Sequence, residues 1–158
     1  MKNQSEAKTV AESAVEMRFL VMPNDTNPQN SIFGGVVMSW IDMAAAMCAE
    51  RHSNRPVVTV HVDDISFKAP MKIGDHALIK ASINFVGKTS MLVGVKVVAE
   101  NPFTRITRHT TTAYLAFVAL DDIGRPIQIR GLIPETDDEI RRFNDGKKRI
   151  EDMKKNKK

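Results

Sequence analysis

Residues 32–53, IFGGVVMSWIDMAAAMCAERHS, decide the fold class. Their alanines, methionines and single tryptophan give the longest helical pattern in the chain. From Ile32 to Ala49 only Ser39 and Asp42 are clearly polar, whereas a surface helix carries a broad charged face. The segment therefore predicts a helix buried on nearly every side, and the rest of the chain has to wrap it. On the N-terminal flank, Val15–Met22 (VEMRFLVM) reads as a strand stopped by Pro23, because proline cannot donate to a ladder. NDTNPQNS is a polar turn between that strand and the helix. Downstream, Val57–Phe67, Ala77–Val86, Met91–Glu100 and Arg108–Leu120 are rich in Val, Ile, Thr and aromatics, and the separators KAPMKIGD, GKTS and NPFT are turn material. A turn at DDIGRP and a short strand at IQI close the sheet region. Strands do not alternate with helices, so a parallel doubly wound sheet is not indicated. The expected class is α+β, a long central helix wrapped by a curved antiparallel β-sheet.

A chain of 158 residues, 42% of them apolar, makes one domain with a real core. Its expected divisions are a polar lead-in over 1–11, the domain over 12–133, and a charged helix with a basic tail over 134–158. Acidic ETDDE at the start of that last segment and basic residues at its end suit a helix dipole, and its polarity places it outside the core. No apolar run approaches the roughly 20 residues that cross a bilayer, and MKNQSEAKTVAESA is too polar for a signal peptide. The cytoplasm is therefore expected, without a membrane partner. The formal charge of +4 comes from 23 Lys and Arg against 19 Asp and Glu, with the basic residues crowded near the C-terminus. That tail lacks the interspersed aromatics of a stacking platform, so no nucleic-acid partner is expected. Cys48 is the only cysteine and lies in an alanine-rich run; it reads as a core thiol. His52, His61, His76 and His109 form no ligand motif, and no GxSxG elbow or glycine-rich nucleotide loop occurs. Neither a metal nor a cofactor is called for. One helix covers one face of a sheet and leaves an edge strand unpaired, so a homo-oligomer is expected.

Asp42 is the outstanding position. A carboxylate in VVMSWIDMAAAMC must meet a partner or face a cavity, since burying an unpaired charge costs several kcal/mol (roughly) or changes its protonation. It reads either as an interface carboxylate satisfied by a neighbour's hydroxyl, or as a base or nucleophile for acyl transfer. Gly34 and Gly35 stand where the helix begins. The first amides of a helix have no partner within it, and glycine lets a carbonyl or phosphate approach them; a plain tight turn is the alternative. Gly35 and Asp42 share a helix face but lie about 10 Å apart along it. If both act on one carboxyl derivative, they come from different chains or the chain bends sharply.

The stretches TNPQNSIFGGVVMSWIDMAAAMCAERH, VVTVHVDDISFKAPMKIGD, VGKTSM and TTAYLAFVALDDIGRPIQI, in that order, resemble the acyl-CoA thioester hydrolases of the hotdog fold, the group of bacterial short acyl-CoA thioesterases and brain-type cytosolic acyl-CoA hydrolases. The resemblance implies a helix held in a curved antiparallel sheet, paired as a double hotdog and assembled as a trimer of dimers. It implies hydrolysis of acyl-CoA to free fatty acid and coenzyme A, without a cofactor. The family's catalytic aspartate falls on Asp42, its asparagine on Asn27, acting across the dimer interface, and the polarising amide on Gly34 or Gly35. Asn30 and Ser31 stand before IFGG where relatives often carry glycine with aspartate or asparagine. Lys88 and Ser90 in GKTSM, and Arg108, are candidates for contact with CoA. A dehydration of hydroxyacyl thioesters would need a histidine near Asp42, and the sequence places none there. The alternative of another class is a non-catalytic acyl-CoA or lipid-binding sensor of the same fold.

Overall fold

The computed structural model describes residues 6–156; residues 1–5 of the lead-in and 157–158 of the basic tail lie outside the described residues. In chain order the elements are β1 (Lys8–Thr9), β2 (Val15–Leu20), a 3-10 turn at Pro23–Asp25, α1 (Gly34–Ser53), β3 (Val57–Phe67), β4 (His76–Val86), β5 (Ser90–Glu100), β6 (Thr107–Ala119), β7 (Leu132–Ile133) and α2 (Asp137–Lys155). Five strands form one antiparallel sheet in the order β2-β4-β5-β6-β3. This is the hotdog fold, with α1 held in the concave side of the sheet.

The core follows from alternation along the strands. Ala77, Ile79, Ala81 and Ile83 of β4, Val93, Val95 and Val97 of β5, and Ala113, Leu115 and Phe117 of β6 are all buried. They meet Val37, Trp40, Ile41, Ala44, Ala45, Cys48 and Ala49 of α1. The alanines let the sheet approach the helix closely, while Trp40 reaches out to stack on Phe19 of β2 at 4.5 Å. α1 stops at Asn54, which adopts a left-handed conformation (φ 57°) and returns its amide to the Glu50 carbonyl at 2.7 Å.

Two expectations need correction. α1 is not buried on nearly every side: Gly35, Met38, Ser39, Asp42, Met43, Met47 and Glu50 are exposed along one stripe. The sheet reaches the helix chiefly through its inner strands β4, β5 and β6, and at the edge strand β3 it ends. Ile127–Ile129 is not a strand either. The Ile127 and Ile129 amides bond to the Ala119 and Lys88 carbonyls at 3.0 Å each, without a ladder. The last strand is β7, paired in parallel with β1.

α2 begins at Thr136, whose hydroxyl accepts from the Glu139 amide, and it carries Asp137, Asp138 and Glu139 at its start and Lys154 and Lys155 at its end. It lies outside the main core, as its polarity predicts, and packs Ile150 against Leu92 and Ala116 on the outer face of the sheet. Phe143 meets Phe85 edge to face at 5.0 Å. No described helix is long and apolar enough to cross a membrane.

Candidate active site

Asp42 lies on the exposed stripe of α1, and its partner comes from the edge strand: Thr59 Oγ1 donates to Asp42 Oδ1 at 2.9 Å. The expected burial of this carboxylate is absent from the single chain. Its surroundings are nonetheless apolar. Met38, Met43 and Met47 of α1 and Val62 and Phe67 of β3 are all at least 38% exposed, and Phe33 at the helix start is 57% exposed. A contiguous apolar surface of this kind on a helix and an unpaired strand edge marks an interface.

Asn27 sits in the turn before α1. Its Oδ1 accepts from the amides of Gln29 at 3.0 Å and Ser31 at 3.2 Å, and its own amide donates to the Ser31 carbonyl at 2.8 Å. Asn30 closes the turn with φ 61°, a conformation asparagine tolerates. Because the side-chain oxygen is occupied, the orientation of the amide is fixed by its hydrogen bonds, and the NH₂ group remains as a donor. Gly34 and Gly35 are the first two residues of α1, both exposed, and Phe33 provides no side-chain cap. Their amides have no acceptor among the described residues. A Cβ at Gly35 would stand 3.4 Å from the Phe33 ring, so glycine keeps the approach to this amide open.

The CoA candidates separate. Lys88 and Ser90 line an open groove of about 940 Å³ between β3, the β4–β5 turn and α2, together with Val60, His61, Arg149 and Lys154. Val60 follows Thr59 in the chain, so the groove begins across the edge strand from Asp42. Arg108 is elsewhere. Its register partner on β5 is Ala99, whereas that of Ser90 is Val118, which puts Arg108 at the other end of β6, about 30 Å away at strand rise. Its guanidinium is held by Asp75 Oδ2 and the Pro70 carbonyl, each at 3.0 Å. The structure brings Lys88 and Ser90 together and leaves Arg108 out.

Cys48 is fully buried, and burial pushes its thiol up to about 12, which rules it out as a nucleophile near neutral pH. No group of three His, Cys, Asp or Glu suited to a metal ion occurs among the described residues. Sequence reasoning missed Thr59. Its signal was a hydroxyl at an inward position of a valine-rich strand, facing a helix with one carboxylate.

Residues 29–104 match the family model of the thioesterase superfamily. An uncharacterized acyl-CoA thioester hydrolase of Bacillus subtilis, YkhA, is 37% identical over 94% of this chain and 87% of its own. The chain belongs to the hotdog-fold acyl-CoA thioester hydrolases. The acyl-CoA hydrolase of Staphylococcus aureus, whose structure contains butyryl-CoA and CoA, superposes with a TM-score of 0.88 at 35% identity, covering 94% of this chain and 90% of that one. A hexameric acyl-CoA thioesterase in its apo form gives a TM-score of 0.92 at 35% identity, with 95% and 96% covered.

Proposed function

We propose that two copies of this acyl-CoA hydrolase pair along α1 and the β3 edge, and that each site joins Asp42 of one chain to Asn27 of the other. The carrying observation is a carboxylate oriented by Thr59 at 2.9 Å in the middle of an apolar, unpartnered surface. Pairing covers that surface and dries the carboxylate. Helix geometry supports the second chain: Gly35 and Asp42 are about 10 Å apart along one axis, too far for both to meet one thioester within a chain.

In this site Asp42 takes a proton from water attacking the thioester carbonyl, or attacks it directly to give a mixed anhydride that water then hydrolyses. The carbonyl oxygen, as it gains charge, receives hydrogen bonds from the Gly34 or Gly35 amide, where the helix dipole is positive. Asn27 offers an NH₂ donor and no free acceptor, which suits it to hold the carbonyl oxygen or the water's lone pair. The products are a carboxylic acid and CoA thiol. Lys88 and Ser90 provide a cation and a hydroxyl for the CoA end; Arg108, committed to Asp75, contributes to the fold. A trimer of such dimers is part of the proposal, supported by the hexameric relative. Further support comes from the Staphylococcus aureus enzyme, of which structures exist with an asparagine, an aspartate and a threonine each replaced by alanine. Those positions are spaced as Asn27, Asp42 and Thr59 are here.

Mixing tests the shared site. Asp42→Ala and Asn27→Ala assemblies should each be nearly inactive in thiol release. After subunit exchange, verified with differently tagged chains, half of the dimers are mixed and each has one intact site of two, so activity returns to about a quarter of wild type. Verified mixed dimers without activity above the parents would sink the shared site. Acyl-CoA binding without turnover by the wild type, across acyl chains from acetyl to palmitoyl, would instead make the protein a sensor.

A further inference from the structure

The outer face of the sheet carries a second concentration of polar groups, on the side away from α1 and Asp42. Cross-strand register sets Glu16, Lys80, Lys96 and Thr112 in one row across β2, β4, β5 and β6. Lys80 and Lys96 are thus direct neighbours with Cβ atoms about 5 Å apart, and like charges placed so are destabilising. Glu16 answers Lys80 alone, at 3.7 Å. Lys96, and Arg142 reaching in from α2, have no carboxylate partner among the described residues. In the next row Ser82 faces Gly94, where the missing side chain leaves a dip in the face of the sheet.

Asn84 fills part of that dip. The ladder shifts register between Ile83 and Phe85, so Asn84 is the extra residue of a β-bulge, a device that re-aims a side chain and recurs beside binding sites. A Cβ built on Gly94 would stand 2.6 Å from Asn84 Nδ2, which only glycine accommodates. Asn84 is 5% exposed, yet its amide makes no hydrogen bond within the described residues. Its polar atoms open onto the groove instead, where a ligand can reach them. Asn84, Ser82, Thr112, Lys80, Lys96 and Arg142 line one open groove of about 480 Å³.

We infer that this groove is a second binding site, for a phosphate or phosphomonoester dianion. Three cations against Glu16 leave two positive charges, the complement of a dianion. The guanidinium of Arg142 offers the fork that phosphate oxygens accept, and the Asn84 amide and the Ser82 hydroxyl supply neutral donors to the same small acceptor, beside the Thr112 hydroxyl, which meets His109 Nε2 at 2.7 Å. The phosphate could be free or could belong to the CoA arm of a substrate, and competition separates the two.

The test is calorimetric titration of the intact wild-type assembly with inorganic phosphate at constant ionic strength, with sodium chloride as the control. Saturable binding is expected, weakened at least tenfold in Lys96→Ala/Arg142→Ala. It is expected to be abolished in Asn84→Asp, which keeps the shape of the bulge but places a negative charge in the groove. Both variants should keep kcat/KM for acyl-CoA within about twofold in phosphate-free buffer if the ligand is free phosphate. Displacement of phosphate by CoA, with a raised KM in the double variant, would assign the groove to the substrate's phosphates. No saturation by about 10 mM phosphate, or undiminished binding by both variants, overturns the inference. So does a smaller oligomer in the variants when the wild type binds no phosphate, because the face is then a subunit contact.

Discussion

Replacing Thr59 by valine removes one hydroxyl and keeps everything else that β3 needs. Valine has the same branched shape and equal or better preference for a strand, and Thr59 pairs with Phe117 through the backbone alone. What is lost is the 2.9 Å hydrogen bond to Asp42 Oδ1. A hydrogen bond to a charged group contributes about 1.5–3 kcal/mol, and each 1.36 kcal/mol in the barrier is about tenfold in rate. If that bond fixes the carboxylate for the reaction, kcat should fall about 10- to 150-fold. The KM for acyl-CoA should change by less than about threefold, because the hydroxyl is committed to Asp42 and not to the CoA end. Thiol release monitored with a chromogenic disulfide gives both constants, and size-exclusion chromatography with light scattering checks that the assembly is unchanged. An unchanged assembly with kcat within about twofold of wild type would refute the assignment of Thr59 as the group that orients Asp42.

Three other perturbations probe the interface, the outer helix and the buried histidine. Met43→Lys puts a charge into the exposed stripe of α1 and should split the assembly, since each large apolar side chain contributes about 1.5–3 kcal/mol on burial; light scattering should show smaller particles, with thiol release lost in parallel. Gly146→Ala improves helix propensity by about 1 kcal/mol, but its Cβ would lie 2.9 Å from Phe85 Cβ and 3.3 Å from Leu92 Cδ2, so α2 must lift. A net loss of about 1–2 kcal/mol is expected from urea unfolding, and a stabilised variant would contradict the close approach. His52 is fully buried with Nε2 donating to the Arg130 carbonyl at 3.1 Å, and burial lowers its pKa from 6.5. The unfolded chain therefore takes up a proton that the folded chain refuses between pH 6.5 and the depressed folded value, so stability is full above 6.5 and falls on acidification. The decline contributed by this group is up to about 1.4 kcal/mol per pH unit; His52→Gln should flatten it, and identical urea midpoints against pH in both proteins would exclude His52 as its source.

The elements visible in the sequence were those that repeat a pattern over many residues. Alternating Ile and Ala in β4 and Val in β5 announce strands with one buried face, and the run of alanines in α1 announces a helix that something must approach closely. The ion pair of Arg108 was not visible, because it joins β6 to a turn 33 residues away through a three-dimensional register. Nor was the exposed stripe of α1. Met38, Met43 and Met47 look like core residues in one dimension, and only the position of β3 at the sheet edge shows that their own chain leaves them uncovered. IQI has the composition of a strand, but Ile127 and Ile129 use their amides against two different carbonyl neighbours and never form a ladder. Asn27 could be located by resemblance, whereas the turn that occupies its oxygen and leaves its NH₂ group open is visible only in three dimensions.

A carboxylate set among Met38, Met43, Met47 and Val62 is a poor choice for stability alone. If the stripe stays in water, those side chains forgo about 1.5–3 kcal/mol each of burial. If a second chain covers it, Asp42 loses its water, and an ion so buried costs several kcal/mol that one hydrogen bond from Thr59 offsets only in part (roughly). Alanine at the same position would satisfy the helix and the interface equally well. The deficit is removed when a further donor meets the free Oδ2, and in the proposed site that donor is the attacking water, whose proton the carboxylate is there to take. Under the proposed mechanism, the features that make Asp42 costly to an empty interface favour the step in which that proton moves, and the amides of Gly34 and Gly35, equally without partners among the described residues, would meet the charge that develops on the carbonyl oxygen.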